Sequence, residues 1–228
     1  MKGDSAMLFV HDIHVVRGEH EFAYEDAMRE EYVPAVADDD TRVLWFLHST
    51  HGSGDAYHIV TITAVRDGAT WDRFVERQRY GDLSGVSTRL AALRYTLSSS
   101  LLVSTDWSPL RELDLGTVPE QPGDHPVSLY REDTLTGPGV ISSLESAASQ
   151  PSDGDDILSV TAAFQSAWGG QRQARVLYRI AADADRWTTA FGADTGWQDW
   201  PGSLTPTVPA GAHGSGRMLR TTSWSPLP

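Results

Sequence analysis

The sequence contains no cysteine. This absence excludes disulfide staples, zinc–thiolate centres, iron–sulfur clusters and thiol nucleophiles, and it suits a reducing, cytoplasmic setting. Basic residues are also scarce: 18 Lys and Arg stand against 31 Asp and Glu, for a net charge of −13. A surface of that sign repels phosphate backbones and anionic lipid, so neither a nucleic acid nor a membrane is an expected partner. Long apolar runs are missing too. The N-terminal stretch is broken by His11, Asp12 and His14, which fits neither a signal peptide nor a spanning helix. P-loop, G-x-G-x-x-G, G-x-S-x-G and H-E-x-x-H patterns are all absent, which leaves nucleotide and flavin sites without support.

What the sequence does have is an internal repeat. Thr105-Asp-Trp-Ser-Pro-Leu110 recurs 117 residues later as Thr222-Ser-Trp-Ser-Pro-Leu227. The same offset pairs His48-Ser-Thr-His-Gly52 with Gln165-Ser-Ala-Trp-Gly169, and Trp71 and Phe74 have counterparts in Trp187 and Phe191. Repeats of this kind imply two copies of one structural unit. The stretch from Arg111 to His125 is rich in Pro, Gly and acid, which sets the expected units at 1–114 and 124–228 with a linker at 115–123.

Each half reads as α+β. In the first, β-branched or alternating runs predict strands at Leu8–Val16, Thr41–His51, Ala56–Val65 and Ser100–Thr105. Helical spacing marks Glu19–Val36, with Pro34 disturbing its end, and a second helix opens at Thr70 as N-cap with Trp71, Phe74 and Val75 on one side. The order is β-α-β-β-α-β, the ferredoxin-like plan. The second half predicts strands at Val127–Glu132, Ile157–Trp168, Ala174–Ala182 and Arg217–Trp224, a helix at Val140–Ser149, and a short helix after Trp187.

The segment Asp55-Ala-Tyr-His-Ile-Val-Thr-Ile-Thr-Ala64, followed by Trp71-Asp-Arg-Phe74, resembles the strand-three-to-helix signature of the dimeric α+β barrel superfamily, in its NIPSNAP-like, stress-responsive and antibiotic-biosynthesis monooxygenase branches. The resemblance implies two ferredoxin-like units forming a single-chain dimeric α+β barrel. Plant polyketide cyclases of this superfamily use a histidine at the start of strand three, matching His58, and carry another early in strand one, matching His11. Their His-Pro-x-His segment has no counterpart in Phe74-Val-Glu-Arg-Gln-Arg-Tyr80. Larger relatives bind haem, but no residue here stands out as an axial ligand.

Six of the eight histidines fall within the first 58 residues. A hairpin turning about Ser53 sets His48 opposite His58, and a parallel strand-one–strand-three pairing brings His11 to the same end. Parity groups His58 with Val60, Ile62 and Ala64, and His11 with Phe9, Ile13 and Val15, while His48 goes with Leu44 and Phe46. These sets are expected to face the helices, forming a pocket with Tyr24, Tyr32, Phe46, Val60, Trp71 and Phe74 as substrate contacts. His14, of opposite parity beside Asp12, is expected to point into the interface between the halves. At the repeat offset the three histidines become Ser128, Gln165 and Arg175, which assigns the site to the N-terminal half.

Two chemistries suit the cluster. One is cofactor-independent acid–base catalysis (cyclisation, dehydration or isomerisation of an apolar aromatic or polyketide-like molecule), with His58 as base and His11 or His48 as partner. The alternative for the same residues is a divalent metal on His11, His48 and His58. A rival enzyme class is cofactor-free oxygenation of a phenolic substrate, with Trp45, Trp71 and Tyr57 shaping the pocket. A non-catalytic small-molecule binder is the rival outside enzymology. The sequence does not fix the oligomeric state.

Overall fold

The structure, a computed structural model, describes residues 6–38, 40–52, 55–150, 156–168, 172–181, 200–204 and 211–228, together with 183, 185, 188, 189 and 209. The fold is mixed α+β. The first half runs β1 (Leu8–Val16), α1 (Glu21–Ala27), α2 (Val33–Val36), β2 (Thr41–Ser49), β3 (His58–Val65), α3 (Gly68–Tyr80), α4 (Ser84–Leu93) and β4 (Arg94–Ser104). The second runs β5 (Leu129–Thr136), α5 (Val140–Ala148), β6 (Leu158–Ser166), β7 (Gln173–Ile180) and β8 (His213–Thr221). The helix expected after Trp187 lies outside the described residues. No helix among the described residues is long and apolar enough to cross a membrane.

The chain divides into two compact units, and each takes in a segment from the other half of the sequence. The first comprises 1–102, 114–127 and 220–228, and the second 103–113 and 128–219. Strand order is β4-β1-β3-β2 in the first unit and β8-β5-β7-β6 in the second. The repeated Trp-Ser-Pro-Leu segments sit in these exchanged pieces. The Ser225 hydroxyl accepts from the Phe46 amide at 3.1 Å, and the Ser108 hydroxyl accepts from the Ala163 amide at 3.0 Å. Phe46 and Ala163 are themselves 117 residues apart. So are the two irregular steps beside them, between Val43 and Trp45 in β2 and between Val160 and Ala162 in β6. Trp224 is buried in the first unit's core and Trp107 packs against the second's.

Each serine therefore satisfies an amide that a bulged strand would otherwise leave bare. Ser225 is 1% exposed, so Ser225→Ala is expected to cost about 1–3 kcal/mol by stranding the Phe46 amide. Chemical denaturation with a fixed m-value checks this.

Local sequence explains the helical layer. Helical structure runs unbroken from Glu21 to Val36, but Met28–Tyr32 widens into a π turn. Pro34 lies just after it, lacks an N–H for the carbonyl four residues back and crowds that carbonyl, and the wider turn relieves the conflict. The α3 N-cap is Asp67 rather than Thr70: its carboxylate accepts from the Thr70 amide at 2.8 Å, and the helix starts three residues earlier than expected. Tyr24, Met28, Tyr32, Val33, Phe74, Leu83 and Leu90 from these helices pack on Val10, Val43, Phe46, Ile59 and Val65 of the sheet.

Candidate active site

Register decides which side chains meet under the helices. β1 and β3 run antiparallel, not parallel as expected, with His11 opposite Ile62, His14 opposite Ile59 and Val15 opposite His58. His11 and His58 thus share a face but stand about four residues apart along it, on the order of 13 Å. In β2 the expected hairpin register holds from Thr41 to Val43. The irregularity before Trp45 then slips it by one residue, so His48 pairs with Ile59 rather than His58. A one-residue slip reverses the face of everything beyond it.

The structure therefore does not bring His11, His48 and His58 together. His48 faces the helices with Phe46, while His11 and His58 lie on the opposite face with Phe9, Val60, Ile62 and Ala64. Both faces are buried: Phe9, Val60 and Ala64 are each 0% exposed. Apolar parity could not say which face meets the helices, and His14 and Asp12 are the residues that do. Among the described residues no group of three His, Asp or Glu side chains is arranged to hold a metal ion.

His48 lies between two carboxylates of α1, with Nδ1 3.4 Å from Glu21 and Nε2 3.3 Å from Glu25. Glu25 also accepts from the Trp224 indole at 2.8 Å. His48 and the Trp224 indole hold the Glu25 carboxyl below its ordinary pKa, the imidazole contributing most and burial opposing them. This arrangement ties α1 to β2 and the C-terminal segment. His58, at the start of β3, lies 4.0 Å from the exposed Asp55.

A cavity of about 280 Å³ opens between helices and sheet within the first unit. Its apolar walls are Met28, Tyr32, Trp71, Phe74, Leu90 and Leu97, and its polar groups include Asp12, His14, Gln78, Arg94 and Ser99. Of the expected substrate contacts, Tyr32, Trp71 and Phe74 line it. Tyr24 stands behind it, Phe46 packs in the core 4.7 Å from the Trp224 ring, and Val60 is on the other face. Trp45, opposite Ile62, also faces away, and Tyr57 is exposed at the strand end with φ of 61°.

The polar wall has two parts. On one side, the Tyr24 hydroxyl donates to His14 Nδ1 at 2.7 Å, Arg94 NH1 approaches the same nitrogen at 3.0 Å, and His14 Nε2 lies 3.1 Å from the Thr61 hydroxyl. Because a guanidinium can only donate, Nδ1 must be the acceptor and Nε2 carries the proton. Burial, then the charge of Arg94, lowers the His14 pKa to about 3. The imidazole is neutral at any physiological pH. Burial likewise pushes the Tyr24 and Tyr32 phenols well up, so both remain protonated; Tyr32 accepts from Gln78 at 2.8 Å.

On the other side is Asp12. Ser99 donates to its carboxyl, yet Oδ1 has no hydrogen-bond partner. Burial raises the Asp12 pKa above the usual carboxylate range, against the lowering effects of Ser99, His11 and Arg94. Sequence reasoning missed Asp12, Gln78, Arg94 and Ser99 altogether, and set His14 aside on parity. A single signal pointed the right way: Asp12 and His14 are two residues apart on one strand and must share a face.

The matching place in the second unit carries different chemistry. Asp133 pairs with Val176 as His14 pairs with Ile59, and Arg131 takes the position of Asp12. Arg131 and Asp133 form a buried bidentate pair with the guanidinium near the Tyr178 and Trp200 rings. That pair neutralises itself and offers no free base.

No protein-family model matches the sequence, and no curated protein matches it. Solved structures do. A candidate monooxygenase from Lactobacillus acidophilus NCFM aligns with a TM-score of 0.54 at 9% identity, over 97% of this chain and 98% of its own. An anthrone oxidase-like protein gives 0.52 at 12%, over 97% and 94%. The encapsulated DyP-type peroxidase of Mycobacterium smegmatis gives 0.54 at 7%, over 96% and 93%. At these identities the likeness is one of fold.

Proposed function

We propose that this chain is a small-molecule oxidase or monooxygenase that oxygenates a phenolic aromatic without a cofactor, at the Asp12 cavity of the N-terminal unit. The observation that carries this reading is the Asp12 carboxyl, with Oδ1 unpartnered, at the wall of an aromatic-lined cavity. A carboxyl with a raised pKa is a better proton acceptor than an ordinary one, and it is the group needed to ionise a weakly acidic C–H or phenol. The likeness in fold to a candidate monooxygenase and an anthrone oxidase-like protein supports the same class.

The chemistry balances without an external reductant. Asp12 accepts a proton from a methylene acidified by its aromatic neighbours, and the resulting carbanion gives one electron to dioxygen. Recombination forms a C–O bond and a hydroperoxide. Loss of water across the remaining C–H and the O–O bond leaves a carbonyl. The substrate methylene supplies four electrons, one oxygen atom enters the product and the other leaves as water. Tyr32, Trp71 and Phe74 stack on the ring system and exclude solvent. Cyclisation on three imidazoles lacks comparable support, since His48 is on the other face of the sheet from His11 and His58.

The same reading takes the chain as a tandem duplication, with units at 1–114 and 124–228 joined by 115–123 in a single-chain dimeric α+β barrel. It is supported by the shared offset of the serine contacts and strand irregularities. The second copy keeps the frame and has replaced the base with the Arg131–Asp133 pair.

Oxygen uptake with a hydroxylated anthrone tests the function. The expected result is enzyme-dependent consumption of one O2 per anthraquinone formed, in chelator-treated protein, and no product under nitrogen. Conversion of the anthrone to a non-oxidised product at the same rate under nitrogen would exclude oxygenation and return the reaction to acid–base chemistry.

A further inference from the structure

Among the described residues Arg94 forms no ion pair with a carboxylate, in contrast to nine other arginines of this acidic chain. Arg42, Arg66, Arg73, Arg77, Arg89, Arg111, Arg131, Arg175 and Arg217 each lie beside a carboxylate. Arg94 lines the cavity, and the partners of its NH1 are neutral: His14 Nδ1 at 3.0 Å and the Tyr24 hydroxyl at 3.4 Å. Neither is charged, and Asp12, whose pKa the Arg94 charge lowers, lines the same cavity without forming an ion pair with Arg94 among the described residues. A half-buried guanidinium held by neutral acceptors has its strongest interaction still to make, and the fitting partner is an oxyanion.

The support behind Arg94 keeps it in that state. Thr61 on β3 takes the His14 Nε2 proton, which turns the Nδ1 lone pair toward Arg94, and Tyr24 of α1 braces the same nitrogen. Three elements thus converge on one hydrogen-bonded chain. An aspartate in place of His14 would also orient the arginine, but it would neutralise it. A neutral imidazole orients without neutralising. The second unit is the contrast: there the partner of Arg131 is the carboxylate of Asp133, and the guanidinium is spent.

We propose that Arg94 is an oxyanion-binding residue, that His14 is its positioning residue, and that the cavity selects aromatic molecules carrying a carboxylate or an ionised phenol. The anion sits on Arg94 while the rings lie against Tyr32, Trp71 and Phe74. This deepens the oxygenase reading and rests on it for the identity of the site, but anion selection needs no turnover. Asp12 lines the same cavity, so an ionised Asp12 opposes an incoming anion and a protonated one does not.

The test is calorimetric binding at neutral pH under nitrogen with three inert probes: 2-naphthoate, its neutral isostere 2-naphthamide, and the ionised 4-nitro-1-naphthol. Both anions are expected to bind about ten-fold or more tightly than the amide. Arg94→Gln should level all three, and Arg94→Lys should keep part of the preference. His14→Asn retains an acceptor near the Nδ1 position and should preserve the preference, whereas His14→Leu should lose it. Melting curves identify any variant that has not folded, and Arg94, at the exposed end of β4, is the safer site to change. Equal affinity of native protein for naphthoate and naphthamide, or a preference that survives Arg94→Gln, overturns the proposal. The stronger of the two anions identifies the group. Loss of oxygen uptake with anion preference intact would remove the oxygenase reading alone, and the reverse outcome would remove only the anion site.

Discussion

His14→Asn is expected to flatten the acid limb of the stability curve. The native imidazole titrates at about 3 when folded, against 6.5 for the unfolded side chain. The unfolded chain therefore binds the extra proton first, and stability falls as pH drops below 6.5. At ~1.4 kcal/mol per pH unit, His14 alone removes about 2 kcal/mol by pH 5 and about 4 kcal/mol by pH 3, where the native imidazole is itself half protonated. The cause is geometric. A proton on Nδ1 of the buried His14 ring would point at the Arg94 guanidinium 3.0 Å away.

Glu25, Asp67 and Asp82 have depressed pKa values and lose their contributions only below the ordinary carboxylate range. Asp12 works in the opposite sense, because its raised pKa favours the fold as pH falls. The clean comparison is therefore His14→Asn against His14 in an Asp12→Asn background. There the parent should lose about 2 kcal/mol between pH 7 and 5, and the double variant should lose little. Parallel losses in both would mean that His14 is not the neutral acceptor described here.

Much of the frame was legible in the sequence, and the failures have one cause. Leu8–Val16 is a strand as read, and the two serine contacts and the two strand irregularities recur at the 117-residue offset seen in the sequence. These features are periodic or repeated, so local pattern carries them. The site failed at Val43–Trp45, where one extra residue moved His48 to the other face. Nothing in Arg42-Val-Leu-Trp-Phe46 announces a bulge, since all five side chains are buried whichever way they point. The same two-sided burial hid which face of β1 meets the helices, and the antiparallel run of β3 parted His58 from His11. Arg94 joins the cavity only through tertiary packing, 80 residues from its His14 contact.

Asp12→Asn should separate catalysis from stability most sharply, because the two are expected to move in opposite directions. A carboxyl whose folded pKa is raised binds its proton more tightly in the native state, so its stabilising contribution is complete below the unfolded value near 3.8 and is lost as pH rises through the folded value. Above its folded pKa the native protein thus holds an ionised group that burial disfavours. The amide is nearly isosteric, carries no charge and can still accept from Ser99. Its melting temperature should exceed that of the native protein toward alkaline pH, and the difference should vanish at acid pH, where Asp12 is itself protonated. Oxygen uptake should fall by roughly 10²–10⁴-fold, the contribution of one positioned base. Naphthoate binding should persist or tighten, since the opposing charge has gone. A Ser99→Ala variant adds a graded control: removing the hydroxyl that donates to Asp12 should raise the carboxyl pKa further, moving the alkaline rise of the pH–rate profile upward while leaving the plateau rate in place. An Asp12→Asn protein that is more stable and fully active would remove Asp12 as the base, and with it the observation on which the oxygenase reading stands.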